Sequence, residues 1–221
     1  MPRKLKIFSV RLLGAIVVGS PLASCGWQPS SLQDLSGEEI VFGGGDAGVK
    51  HACFGCHGLN GEGDGLQSPR LAGLDSGYLL RQLDDYANGR RRHEAMSAIA
   101  GHLKPDDRAR VSSYYSDLPL ARLTQSYAPV PPDTLYHYGD IRRGLSACAN
   151  CHGQNGEGIG AANPPLTRQP SQYLSDQLMA WKRGDRNNDP RQVMLSISQA
   201  LTSSEIERLS AYASKLSGVH R

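Results

Sequence analysis

The phrase CFGCHGLNGEGDG at residues 53–65 returns as CANCHGQNGEGIG at residues 148–160. The offset of 95 then holds downstream. Pro69 and Leu71 match Pro164 and Leu166, and Tyr78-Leu79 matches Tyr173-Leu174. Gln82-Leu83 matches Gln177-Leu178, Tyr86 matches Trp181, and Gly89 matches Gly184. Past a three-residue insertion near GDRNNDPRQ the offset becomes 98, pairing Met96, Ile99, Leu103 and Tyr114 with Met194, Ile197, Leu201 and Tyr212. Two copies of one unit of roughly 80–90 residues follow, each in the ordinary domain range. A fold for this chain must therefore be built twice.

Each unit reads as helices joined by long glycine-rich loops. YLLRQLDDYANG and YLSDQLMAWKRG carry apolar residues at helical spacing and end at Gly. The last helix of the first unit opens on Pro105-Asp106-Asp107, and that of the second on the capping-box pattern Thr202-Ser203-Ser204-Glu205. GDAGVKHA and GDIRRGLSA, just ahead of the cysteines, are expected to form short helices. Strand-like alternation is scarce, so the fold class is all-α. The expected layout is a first domain over 38–118, a connector over 119–133 and a second domain over 134–221. Pro119, Pro129, Pro131 and Pro132 make the connector extended, because proline fixes φ and lacks an amide donor.

Cys-x-x-Cys-His is the attachment signature of c-type haem. On one helical turn, two thiols three positions apart reach the two vinyl groups of a porphyrin, and the adjacent imidazole faces the iron. Cys53, Cys56 and His57 would hold one haem c, and Cys148, Cys151 and His152 a second, with each His as an iron ligand. A zinc ribbon would bring its CxxC knuckles closer in sequence, and a thioredoxin-type CxxC would need a βαβ context.

The sixth ligand is sought among four methionines. Met96 and Met194 occupy matched positions downstream of the two CxxCH segments, whereas Met179 sits in an apolar helix and reads as core. Thioether sulfur favours ferrous iron and raises the potential. His51, His93, His102, His137 and His220 have no repeat partner and read as surface or loop residues. Pro69 and Pro164 are expected to turn a backbone carbonyl toward the ring N–H of His57 and His152, orienting each ligand. Arg70, Arg90 and Arg168 are candidate partners for haem propionates. Glu62 and Glu157 read as loop and cap residues.

The N-terminus reads as an address. Residues 1–24 have a basic start, an apolar stretch over 12–18 and small residues after it, as in an export signal. Leu22-Ala23-Ser24-Cys25 resembles the bacterial lipobox, which makes Cys25 the expected lipidation site and accounts for the fifth cysteine. Residues 25–37 would be the lipidated start and a polar tether. The formal charge of +3 falls to −1 once Arg3, Lys4, Lys6 and Arg11 are removed with the signal, so nothing points to nucleic acid.

Across about residues 45–218, CHGLNGEG with CHGQNGEG, PRL with PPL, and MSAIAGHL with MLSISQAL resemble the dihaem cytochromes c of the cytochrome c4 family. The resemblance implies two cytochrome c-like helical domains, each wrapped around a covalent haem, with propionates near their interface. It also implies a periplasmic electron carrier working between a respiratory donor complex and a terminal oxidase. The lipobox departs from many members, and adds a membrane anchor. Gly26, in place of the aspartate that retains lipoproteins at the inner membrane, points to the outer membrane. The alternatives are a dihaem enzyme of the peroxidase or thiosulfate dehydrogenase type, or the electron-accepting subunit of a membrane dehydrogenase. The paired methionines argue for a carrier, since an iron with both axial positions filled offers no open coordination site.

Overall fold

The computed structural model describes residues 35–120 and 131–218. The signal segment, Cys25, most of the tether, the greater part of the connector and His220 lie outside the described residues. Helices α1 (Gly37–Gly43), α2 (Phe54–His57), α3 (Ser76–Ala87), α4 (Glu94–His102) and α5 (Pro105–Asp117) build the first domain. Helices α6 (Thr134–Tyr138), α7 (Ala149–His152), α8 (Ser171–Arg183), α9 (Val193–Ala200) and α10 (Ser203–Ala213) build the second in the same order. Among the described residues there is no strand, only isolated bridges such as Arg91 to Arg186.

Two helices were not anticipated. α1 starts inside the stretch read as tether, where Ser36 and Glu39 form a reciprocal capping box. Its Ile40 and Val41 are buried against Leu74, Leu79, Leu103, Val111 and Tyr115. α6 starts on the side chain of Asp133, which accepts from the amides of Leu135 and Tyr136. Leu135 and Tyr136 then enter the second core with Leu174, Leu201, Ile206 and Leu209. Conversely, GDAGVKHA forms two 3₁₀ turns instead of one helix, broken at Gly48 (φ 82°). GDIRRGLSA forms a single 3₁₀ turn that ends at Gly144.

Within each domain the end of the Met-bearing helix is tied by a cation from a neighbouring long helix. Arg108 on α5 donates to the Leu103 and Ala100 carbonyls at the end of α4. Lys182 on α8 donates to the Leu201 and Gln199 carbonyls at the end of α9. Both charges sit where the helix dipole and free carbonyls attract a cation. α4 packs on α3 and α9 on α8, which fixes the helices carrying Met96 and Met194.

Candidate haem sites

Each CxxCH segment forms one α-helical turn. Cys53 caps α2 and Cys148 caps α7, and the His57 and His152 amides each donate 2.9 Å to the first cysteine's carbonyl. Cys53 and Cys148 are partly buried, whereas Cys56 and Cys151 are exposed. Burial pushes the Cys53 and Cys148 thiols up to about 11.

The NGEG loop then folds back on the histidine. The Gly63 and Gly158 amides donate 2.8 Å to the His57 and His152 carbonyls. A Cβ on Gly63 would stand 2.5 Å from Ser68 O, and one on Gly158 would stand 2.5 Å from Pro165 N. With φ near 80° as well, only glycine lets the two limbs of the loop approach this closely. Glu62 and Glu157 accept from the Asn60 and Asn155 amides inside the same loop, as loop residues do.

The result is a carbonyl aimed at each imidazole. Nδ1 lies 3.0 Å from Pro69 O in His57 and 2.8 Å from Pro164 O in His152. A carbonyl only accepts, so Nδ1 carries the proton and Nε2 keeps its lone pair for a metal. Burial lowers the pKa of both imidazoles, which favours the neutral form that can ligate a metal. At His57 the charges of Asp64 and His93 also bear on the ring, in opposite senses.

Met96 and Met194 lie in the first turns of α4 and α9, half-buried. Their amides are held differently. The Met96 amide donates 3.3 Å to Nδ1 of His93, the cap of α4. The Met194 amide donates 2.7 Å to Asp189 Oδ2. Met179 packs against the second core.

The remaining histidines are placed unevenly. His51 and His102 are exposed and bond back to carbonyls four residues earlier. His137 is not the plain surface residue expected. Its ring bonds Tyr212 OH (2.6 Å) and Gln154 Oε1 (2.8 Å) and sits among Tyr136, Tyr138 and Tyr212. Arg90 is tied to Asp85 (2.6 Å) with its side chain 62% exposed, whereas Arg70 is buried. Burial, and then the charge of Arg168, push the Arg70 guanidinium down to about 10.

This donor set fits a covalent haem. Each site offers two thiols and a neutral imidazole with Nε2 free. Three buried N–H groups, Arg70 Nε, Arg81 Nε and Trp181 Nε1, have no acceptor among the described residues. All three are donor-only groups of the kind a haem carboxylate satisfies. The sequence reading overlooked two buried side chains at the domain junction, Arg91 and Arg186. They stand 95 residues apart, so extending the repeat alignment by two positions beyond Gly89 would have paired them.

The cytochrome c family model matches this chain twice, over residues 45–118 and 145–217. A thiosulfate dehydrogenase electron acceptor from Stutzerimonas stutzeri is 36% identical over 185 residues, 81% of this chain and 86% of that protein. Cytochrome c4 from Pseudomonas aeruginosa is 30% identical over 188 residues, 82% of this chain and 92% of the relative. Among solved structures, a thiosulfate dehydrogenase from Marichromatium purpuratum superposes with a TM-score of 0.71 and 38% identity. That match covers 81% of this chain but only 39% of the other. Two matched domains, each with its own CxxCH, and likeness to a cytochrome c4 over most of the chain place this chain in the cytochrome c4 family of dihaem electron carriers, with one covalent haem c in each domain.

Proposed function

We propose that this cytochrome accepts electrons from a thiosulfate-oxidising enzyme and passes them on toward a terminal oxidase, held at the periplasmic face of a membrane by a lipid on Cys25. The observation that carries the reading is the 36% identity, spanning 86% of its length, to a protein named for accepting electrons from thiosulfate dehydrogenase. In support, a thiosulfate dehydrogenase chain contains a portion folded like this one. Joining two thiosulfate ions through one new S–S bond releases two electrons and no proton, and a chain with two one-electron centres takes that pair.

The haem supplies the redox-active iron; the chain decides what else the iron meets. His57 and His152, oriented by Pro69 and Pro164, would each ligate an iron. Met96 and Met194 would be the further ligands, raising the potential and closing the site to substrate. Both domains then act as carriers, and thiosulfate itself has nowhere to bind iron. Among the described residues no helix is long and apolar enough to cross a membrane, and a lipid on Cys25 would supply the anchor.

The test mixes oxidised holoprotein with thiosulfate, with and without catalytic thiosulfate dehydrogenase, and follows the ferrous α-band. Reduction of both haems only when the enzyme is present supports the reading. Rapid reduction and turnover with thiosulfate alone would make this chain an enzyme in its own right. No reduction in either mixture would remove thiosulfate dehydrogenase as donor.

A further inference from the structure

The peptide that joins Pro69 to Arg70 is gripped at both ends. It is a planar trans unit, so its C=O and N–H turn as one body. The Pro69 oxygen accepts from His57 Nδ1 at 3.0 Å. The Arg70 N–H donates to Gln169 Oε1, also at 3.0 Å, and Gln169 belongs to the second domain. Gln169 Nε2 returns a bond to the Arg70 carbonyl at 2.9 Å. Arg70 and Gln169 are each 5% exposed, so water competes little for these groups.

The grip runs in one direction only. At the repeat offset of 95, Gln169 matches Leu74, which is buried in the core of its own domain. The first domain therefore has no glutamine to return. Arg70 matches Pro165, which carries no amide hydrogen, so the peptide that orients His152 cannot be held this way. The turn that delivers Gln169 is also the less favourable of the pair. Arg168, just before it, takes φ 60° where the first domain has Gly73 at φ 67°. Residues with a side chain seldom occupy that region. The Arg168 amide is held there by the Ser214 carbonyl at 3.3 Å.

We propose that Gln169 is a positioning residue for the first haem: through the Pro69–Arg70 peptide it holds the carbonyl that orients His57, so that the second domain sets the potential of the first haem and not of its own. An acceptor on the peptide N–H polarises the unit and makes its oxygen a better acceptor. A firmer bond from Nδ1–H makes the imidazole a more basic ligand. A more basic ligand favours ferric iron, so the grip of Gln169 lowers the first potential. This rests on His57 as an iron ligand, whichever protein supplies the electrons.

The test uses the full-length Gln169→Leu holoprotein, which carries the first domain's residue at this position, with haem content checked. Potentiometric titration should show the first potential raised and the second unchanged. Paramagnetic NMR should show the iron-shifted Nδ1–H resonance of His57 moved and exchanging faster with solvent, with that of His152 as in wild type. An equal rise in both potentials would reduce Gln169 to a structural tie between the domains and overturn the proposal. So would a first potential that stays or falls, or one that rises while the His57 resonance stays in place. Should the Leu variant fail to accumulate, Gln169→Asn decides. It keeps the amide but is one methylene short, and should give a smaller rise confined to the first haem. An unchanged first potential there would overturn the proposal. Absence of an iron-shifted His57 resonance in wild type would overturn the ligation itself, a failure that the electron-donor assay does not share.

Discussion

In the first domain the amide of Met96 rests on Nδ1 of His93 at 3.3 Å, whereas in the second the amide of Met194 rests on the carboxylate of Asp189 at 2.7 Å. The carboxylate also takes the Leu195 amide at 3.3 Å. Between Asp189 and Met194 lies the insertion, where Arg191 (φ 59°) and Gln192 (φ 57°) adopt left-handed backbone that side-chain-bearing residues seldom occupy. Such a conformation costs on the order of 1–2 kcal/mol per residue. The second domain therefore holds its methionine helix on a strained turn and offsets the strain with a charge-assisted cap. The first needs neither. The comparison teaches that one element of the repeat, a helix whose first turn carries Met, was kept by two different supports, which points to the methionine as the object being positioned.

The largest effect should come from the methionines themselves. Met96→His should lower the potential of the first haem alone, and Met194→His that of the second alone. The expected drop is some tenths of the ~0.8 V that axial ligands span, because imidazole stabilises ferric iron more than thioether does. Both haems should stay attached, since attachment depends on the CxxCH turns. Equal potentials before and after either substitution would break the equivalence of the two helices.

Removing the caps sharpens the contrast. Asp189→Ala removes two amide contacts and should destabilise the second domain by ~1–2 kcal/mol, the range for losing a strong helix cap. His93→Ala removes one long bond to an imidazole nitrogen and should cost the first domain ~0.5 kcal/mol. Thermal melts followed at the haem band, with the two domains resolved, would read this order. A larger loss from His93→Ala would contradict it.

Acid should separate the domains by a smaller margin. The Arg143 side chain first, and then the Thr202 amide, hold Glu205 at about 2, at the start of α10. Its folded pKa lies below the ordinary 4.5, so its contribution is present above about pH 4.5 and is lost as pH falls through about 2. The carboxylate is largely open to water, and screening keeps the effect to ~0.5 kcal/mol. α5, the matched helix, opens on Pro105 with no side-chain cap, so the first domain lacks this arm. Glu205→Gln should flatten the acid slope of the second domain between pH 4.5 and 2, measured by denaturant midpoint. An unchanged slope would remove the cap from the account.

Much of this architecture was legible in the residues because covalent attachment demands a fixed spacing. Two thiols three apart, an adjacent His, and a glycine loop returning at Pro69 or Pro164 leave little freedom, and duplication doubled the signal. α1 and α6 escaped because 7 and 5 residues show no usable helical period. Gly48 and Gly144, which turn the expected short helices into 3₁₀ turns, act through positive φ that sequence shows only as glycine. Arg91 was hidden in Gly89-Arg90-Arg91-Arg92, a charge run that reads as solvated. Only the fold reveals that its middle arginine turns inward to meet Arg186.

The central claim is that both irons are closed by His and Met, making the chain a carrier. The most direct test is the far-red sulfur-to-iron charge-transfer band of the oxidised holoprotein, quantified per haem. The account predicts a band equivalent to two Met-ligated haems, halved by Met96→His, halved by Met194→His and abolished by both, with slow cyanide binding throughout wild type. A wild-type band worth one haem, together with rapid cyanide binding at the other, would contradict it.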